Sequence, residues 1–212
     1  MKFSTFAIMS ATSLVACGVF AAQVPVENFS FELPGTGKIK GWNGENGPNI
    51  PGWASDTAAV DSGVESDWPG HTDGVWSGFL MHGDPSVWQL TGYTIQPTDS
   101  FTLEVDGRDN WSAAGAASLS LTLYYDDAGT RVSAANALRV LNTTWAGQTL
   151  TFDAALMPAA WGKHIGIEIL NATSGDSWLG LDNVRLSVVP EPSSIALLGV
   201  GLLALRLRRQ CK

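Results

Sequence analysis

The sequence predicts an all-β protein built as an antiparallel β-sandwich, and three observations carry that expectation. Short β-prone runs alternate apolar and polar residues, as in Ser118-Leu119-Ser120-Leu121-Thr122-Leu123, where the leucines share one face. Turn residues punctuate these runs, as in Asp126-Asp127-Ala128-Gly129. From Phe29 onward no stretch carries the apolar periodicity of an amphipathic helix. Regularly spaced strands with polar turns are the pattern of a sandwich.

The chain opens with Met1-Lys2, an apolar stretch through Ala16, and Cys17-Gly18-Val19-Phe20-Ala21-Ala22. A positive start, an apolar middle and small residues at Val19 and Ala21 make residues 1–22 a secretory signal peptide, cut after Ala21. Leu14-Val15-Ala16-Cys17 also resembles a bacterial lipobox, which would place a lipid on Cys17. The sandwich domain is expected over residues 23–188. Within it, Gly35 to Gly83 is rich in Gly, Pro, Asn, Asp and Trp and reads as long ordered loops. Strands are then expected at Phe101–Val105, Ser118–Tyr125, Thr130–Val132, Gln148–Phe152, His164–Leu170 and Leu179–Leu186. Residues 189–212 form a tail: Pro190-Glu191-Pro192, an apolar run from Ile195 to Leu205, and the basic residues Arg206, Arg208 and Arg209. The run is short for a helix crossing a hydrocarbon core of about 30 Å, and the arginines would hold its end on the cytoplasmic side.

Charge narrows the function. The 212-residue chain has 12 Lys+Arg against 20 Asp+Glu, a net charge of −8. Trimmed to residues 23–188 it keeps seven basic and 19 acidic residues, a net charge of −12. That balance excludes nucleic acid as a partner, because a phosphate backbone needs clustered Lys and Arg. Cys17 and Cys211, the two cysteines, both lie in the segments expected to be removed. The mature domain would therefore hold no disulfide and no thiolate-bound metal, and its acidic surplus points to hard cations such as Ca²⁺.

The Pro190-Glu191-Pro192 motif, short apolar helix and basic cluster resemble the PEP-CTERM sorting signal of Gram-negative bacteria. The resemblance implies recognition by an exosortase, export through the inner membrane with transient anchoring by the C-terminal helix, and delivery to the cell surface or matrix among extracellular polysaccharide. A second resemblance lies in the order of segments: Asn28-Phe29-Ser30-Phe31-Glu32, Ile50-Pro51-Gly52-Trp53, Asp73-Gly74, Trp88-Gln89-Leu90 and Leu181-Asp182-Asn183-Val184-Arg185-Leu186. This layout is similar to the galactose-binding-like jelly roll of carbohydrate-binding modules and, more distantly, to the Stig cyclases, which rearrange indole–isonitrile terpenoids. In the resembling modules the Glu of the first motif and the Asp of the last meet at one sandwich edge and bind a structural Ca²⁺. Here those positions are Glu32 and Asp182. Asp106-Gly107-Arg108-Asp109-Asn110 and Asp126-Asp127 could make a second cation site, although acidic turn residues commonly serve only the turn.

Nine tryptophans form a second constellation, because the C–H face of a sugar ring stacks on a flat aromatic. Trp53, Trp88 and Trp145 are assigned to the core or its rim. Trp42, Trp68 and Trp111 lie in polar stretches and are expected to be exposed, with His71 and Asp109 placed to contact hydroxyls. Catalytic signatures are sparse. His71, His82 and His164 form no metal pair, no nucleophile elbow is present, and His82 with Asp84 is the nearest approach to an acid–base pair. A cyclase would need an acid that protonates an alkene in an aromatic-lined pocket, with Asp182 as the candidate beside Trp and Tyr neighbours including Tyr93, but Asp182 is also the expected calcium ligand. The expected function is an exported, Ca²⁺-stabilised, non-catalytic sandwich that associates with extracellular polysaccharide. The alternatives are an enzyme on the same scaffold, cyclase or glycan-active, and a structural matrix protein with no discrete ligand.

Overall fold

A computed structural model describes residues 21–33, 50–55, 62–66, 70–82 and 86–190. The signal peptide with Cys17, most of the sorting tail (Glu191, Pro192, Arg206, Arg208 and Arg209), and Trp42, Trp68 and Asp84 lie outside the described residues.

The described chain is all-β. Its strands are β1 (Ala22–Val24), β2 (Ala54–Ser55), β3 (Ser62–Glu65), β4 (Ser77–Met81), β5 (Ser86–Thr94), β6 (Asp99–Ser112), β7 (Ser118–Asp127), β8 (Thr130–Val140), β9 (Ala146–Asp153), β10 (His164–Asn171) and β11 (Ser177–Pro190). They form two antiparallel sheets: a six-stranded one ordered β3-β4-β11-β6-β9 with β1 also paired to β11, and a five-stranded one ordered β2-β5-β10-β7-β8. The expected strands are all present, several of them longer than the alternation alone indicates. The segment read as continuous loops from Gly35 to Gly83 contains β2, β3 and β4. Ser62-Gly63-Val64-Glu65 and Ser77-Gly78-Phe79-Leu80 carry glycine and serine where β-prone residues are usual, so pairing with neighbours makes them strands where propensity does not.

Between the sheets, Leu119, Leu121 and Leu123 of β7 and Ile165, Ile167 and Ile169 of β10 face Phe101, Leu103 and Val105 of β6 and Leu179, Leu181, Val184 and Leu186 of β11. These are the inward positions of period-two strands. The β7–β8 hairpin closes through Ala128 and Gly129, both at positive φ (53° and 89°), the geometry of a two-residue turn that matches strand twist. Asp126 Oδ1 accepts the Gly129 N–H at 3.0 Å and ties that turn down.

On the outer face of the five-stranded sheet, Tyr124 lies flat over Gly166, and burial pushes its phenol pKa up to about 12. A Cβ at Gly166 would fall inside van der Waals contact with Tyr124 Cζ. Gly166→Ala is therefore expected to destabilise the fold by about 1–3 kcal/mol through overpacking. Urea unfolding measures it, with Gly129→Asn as a comparison that leaves the ring contact alone.

Candidate functional site

Both carboxylates expected at the sandwich edge close on one loop. Glu32 Oε1 accepts the backbone N–H groups of Val75 and Trp76 at 2.7 and 2.8 Å. Asp182 Oδ2 accepts from the backbone N–H of Thr72, from that of Asp73 at 2.9 Å and from the Thr72 hydroxyl at 3.0 Å, while Oδ1 accepts from the Asn183 N–H at 2.7 Å. The Thr72 hydroxyl also reaches Asp106 Oδ2 at 2.7 Å, and Asn183 Nδ2 donates to the same oxygen at 3.1 Å. Between the two clamped pairs of amides sits Gly74, at φ 68°, where a Cβ would overlap the Glu32 carboxylate. The loop thus needs glycine at this position for both backbone angle and space.

The chain delivers Asp182 by a β-bulge. Register shifts between Asp182 and Arg185, and Asn183 has a φ of 50°. The bulge keeps Val184 and Leu186 in the core after Leu179 and Leu181. Asp182 is 0% exposed, and burial pushes its carboxyl above the ordinary carboxylate range, against the opposing pull of its N–H bonds. Lone pairs given to N–H donors are not available to a cation, and among the described residues no three His, Cys, Asp or Glu converge as metal ligands.

Alternation along β11 sends Leu179 and Leu181 inward and Trp178, Gly180 and Asp182 to the opposite face of the six-stranded sheet. That face is itself largely buried. Phe79 of β4 is buried and meets Trp178 edge-on, centroids 5.8 Å apart. Trp145 closes over Gly180, where a Cβ would stand 2.8 Å from Trp145 Cη2 and 3.1 Å from Asn110 Oδ1. A second register shift, between Trp178 and Leu179, inserts Asn110 and places Trp111 opposite Trp178. Buried here, with no hydrogen-bond partner among the described residues, are Asn110 Oδ1 and Nδ2, Trp145 Nε1, Trp178 Nε1 and Ser77 Oγ. Unsatisfied buried polar atoms are rare, and five of them on one aromatic-walled face are what a bound ligand or water would satisfy.

Of the residues expected to contact a ligand, Trp111 is 52% exposed, at this face, and His71 is exposed at the start of the clamped loop. Asp109 differs. It pairs with the core residue Leu179, is buried, and its Oδ2 accepts the Ala117 N–H at 3.0 Å. Period two along β6 from Phe101 sends Asp109 inward and makes its neighbour Asn110 the outward polar group. Trp53 is in the core, stacked on Phe31, whereas Trp145 and Trp88 stand on outer faces, Trp88 under the Arg131 guanidinium at 3.7 Å. Tyr93 does not join Asp182. Its hydroxyl donates to Asp99 Oδ2 at 3.0 Å, and burial raises its pKa to about 12. Its ring packs on Phe101, which pairs with Val188, six residues along β11 from Asp182. Sequence reasoning missed Asn110, Trp178 and Ser77. The signal for them was a strand, Trp178-Leu179-Gly180-Leu181-Asp182, whose outward positions are a large aromatic and a glycine instead of solvated polar residues.

Comparison with known proteins fits this architecture. Residues 188–210 match the PEP-CTERM protein-sorting motif, which marks the chain for export and exosortase-mediated sorting. No curated protein sequence matches the chain. Among solved structures, a Stig cyclase from Fischerella sp. TAU in complex with (3Z)-3-(1-methyl-2-pyrrolidinylidene)-3H-indole aligns with a TM-score of 0.65 at 19% identity, covering 82% of this chain and 100% of its own. A cyclase from the same source in complex with 4-(1H-indol-3-yl)butan-2-one aligns at 0.62 and 18% identity, covering 81% and 100%. A CBM22-1 xylan-binding domain from Paenibacillus barcinonensis aligns at 0.48 and 12% identity, covering 70% and 92%. The model of the HpiC1-like family, described as HpiC1 cyclase, matches residues 22–187, the whole sandwich, and the chain belongs to that family.

Proposed function

We propose that this exported sandwich binds sugar chains of extracellular polysaccharide, without turning them over, on the outer face of its six-stranded sheet. The observation that carries the reading is that the Asn110 amide and the indole N–H groups of Trp145 and Trp178, on one face, are all buried without a hydrogen-bond partner among the described residues. Adjacent hydroxyls of a sugar donate and accept together, as a primary amide does, while its C–H face packs on an indole ring. Trp111, exposed and opposite Trp178, extends the aromatic surface toward solvent. The tail beyond the described residues would anchor the chain in the inner membrane until an exosortase acts on it.

A second reading, catalysis on the same face, draws on the family and on Asp182. A carboxyl that burial holds above the ordinary range can carry a proton to an alkene carbon, and the ring faces of Trp178 and Trp145 would favour the cation that forms. The two readings share a site and differ in whether the bound molecule changes.

A structural Ca²⁺ at the sandwich edge is a further part of the proposal. It draws on the hard oxygen ligands of Glu32 and Asp182, through the lone pairs that their amide donors leave free, with backbone carbonyls to complete the shell.

Three experiments test these statements. Tryptophan fluorescence titration with oligosaccharides is expected to show saturable binding that Asn110→Ala weakens by roughly tenfold to a hundredfold, the loss of about 1–3 kcal/mol of hydrogen bonding. Binding that survives both Asn110→Ala and Trp178→Ala removes the glycan site from this face. Incubation with an alkene-bearing indole terpenoid, followed by mass spectrometry and chromatography, decides the second reading. An isomerised product that disappears in Asp182→Asn establishes it, and an unchanged substrate ends it. A thermal melt with and without chelator reads the metal: a lowered midpoint supports calcium, and an unchanged one leaves the edge to the amide clamp alone.

A further inference from the structure

Both apolar stretches of the sequence join the sandwich at one end. Ala22 pairs with Val188 and Pro190 with Asp99, so the chain enters β1 and leaves β11 beside the start of β6. The connection from β9 to β10 starts in the same row, because Ser100 pairs with Val189 on one side and with Asp153, the last residue of β9, on the other. Asp153 therefore stands two strands, about 10 Å, from the point of exit. The connection reads Ala154-Ala155-Leu156-Met157-Pro158-Ala159-Ala160-Trp161-Gly162, without a charged residue. In it Leu156 is 82% exposed and Trp161 40%.

The connection satisfies its own backbone while holding these side chains out. It is two turns of 3-10 helix, Ala154–Leu156 and Pro158–Ala160. Met157, Ala160 and Trp161 donate their N–H groups to the carbonyls of Ala154, Met157 and Pro158 at 3.1, 3.0 and 3.2 Å. Asp153 Oδ1 accepts the Ala155 N–H at 2.9 Å, and the Trp161 indole N–H donates to the Ala154 carbonyl at 2.7 Å. A backbone bonded in this way leaves water at little cost, and exposed large apolar side chains gain by leaving it. The charged residues at this end, Asp126, Asp127, Arg131, Asp153 and Lys163, are of both signs, and Lys163 is paired with Asp127 at 2.8 Å. The surface is therefore apolar in character and not built for one sign of charge.

We propose that Leu156 and Trp161 dock this end of the sandwich on a lipid bilayer. The inference rests on reading the tail as an inner-membrane anchor. From Pro190 to the first residue of the apolar run, Ile195, is five residues, about 17 Å when fully extended. The headgroup layer takes about 5–8 Å of that length. An anchored tail thus holds this end against the interface, where tryptophan is the favoured aromatic. Burial of one leucine side chain there favours the docked state roughly tenfold to a hundredfold.

The test uses the full chain, with Cys17→Ser and Cys211→Ser, in phosphatidylcholine vesicles. An environment-sensitive fluorophore is attached at Ala159→Cys, exposed in the same connection, or at Ser174→Cys, exposed after β10 at the opposite end. The chain is expected to float with the vesicles, and the label at 159 to shift to the blue and be quenched by nitroxide-bearing lipid, while the label at 174 does neither. Leu156→Glu, at a side chain outside the core, should lower the docked fraction tenfold or more and return the label at 159 to aqueous emission with flotation unchanged. Flotation with both labels aqueous overturns the docking while the anchor stands, and leaves the loop to a protein partner. A blue shift at 159 without nitroxide quenching places the loop against a second copy and overturns the docking as well. A chain that does not float overturns the anchor reading and this inference with it.

Discussion

Two carboxylates holding one loop by its backbone is the interaction on which the rest of the site depends. Residues Thr72 to Trp76 have no sheet partner and would leave amide N–H groups without acceptors at the end of a closed sandwich. Glu32 reaches them from the N-terminal segment and Asp182 from the last strand, more than 100 residues away in sequence. The loop runs straight into Ser77, so the clamp sets where β4 begins and brings Phe79 against Trp178 and Ser77 between Glu65 and Asp182. The N-terminal segment is anchored in turn. Phe31 is in the core, stacked on Trp53 and packed over Gly78, and Asn28 accepts from Leu33 N–H and donates to Pro51.

A sheet that is buried on both faces asks more of its sequence than one that is half solvated. In β7 and β10 the inward residues are leucines and isoleucines, and the outward ones include Ser120 and Thr122, which are buried, and Glu168, which is half-buried. In β11 and β6 the outward positions change character along the strand. Toward the C-terminal end of β11, which pairs with the start of β6, they are Arg185, Ser187, Glu104 and Thr102, but around the bulges they become Trp178, Gly180, Asp182, Arg108 and Asn110. The two register shifts bracket this stretch. They are what allow one continuous pair of strands to present a plain surface at one end and a specialised one at the other.

That division explains what could be read from the sequence. Period-two alternation locates strands whose two faces differ in polarity, and β6, β7, β9, β10 and β11 all have such stretches. It fails for β3 and β4, where glycine and serine give no pattern and the strands exist because β11 pairs with β4 and β4 with β3. The meeting of Glu32 and Asp182 at one edge was legible through resemblance. The partners of their oxygens were not, since backbone N–H groups carry no sequence signature. Asp109 and Asn110 were legible in the period of β6, which, carried on from Phe101, sends the carboxylate inward and the amide outward. The register shift that sets Trp111 opposite Trp178 carries no such signal.

Asp182 concentrates the remaining tension. Four donor contacts favour its anion, and complete burial opposes it, with burial the larger influence. A carboxylate so placed is stabilised by dipoles fixed in the fold instead of by water, which leaves its field less screened than that of a surface group. Above it stand ring faces that are themselves electron-rich. Arg108, paired with Gly180 on the same face, opposes that field. In the glycan reading a sugar would donate its hydroxyls to these acceptors, and in the catalytic reading the ring faces would favour a developing carbocation. The two readings of this site therefore share one set of groups, and what separates them is whether Asp182 ever gives up a proton or serves only to hold the loop and the charge in place.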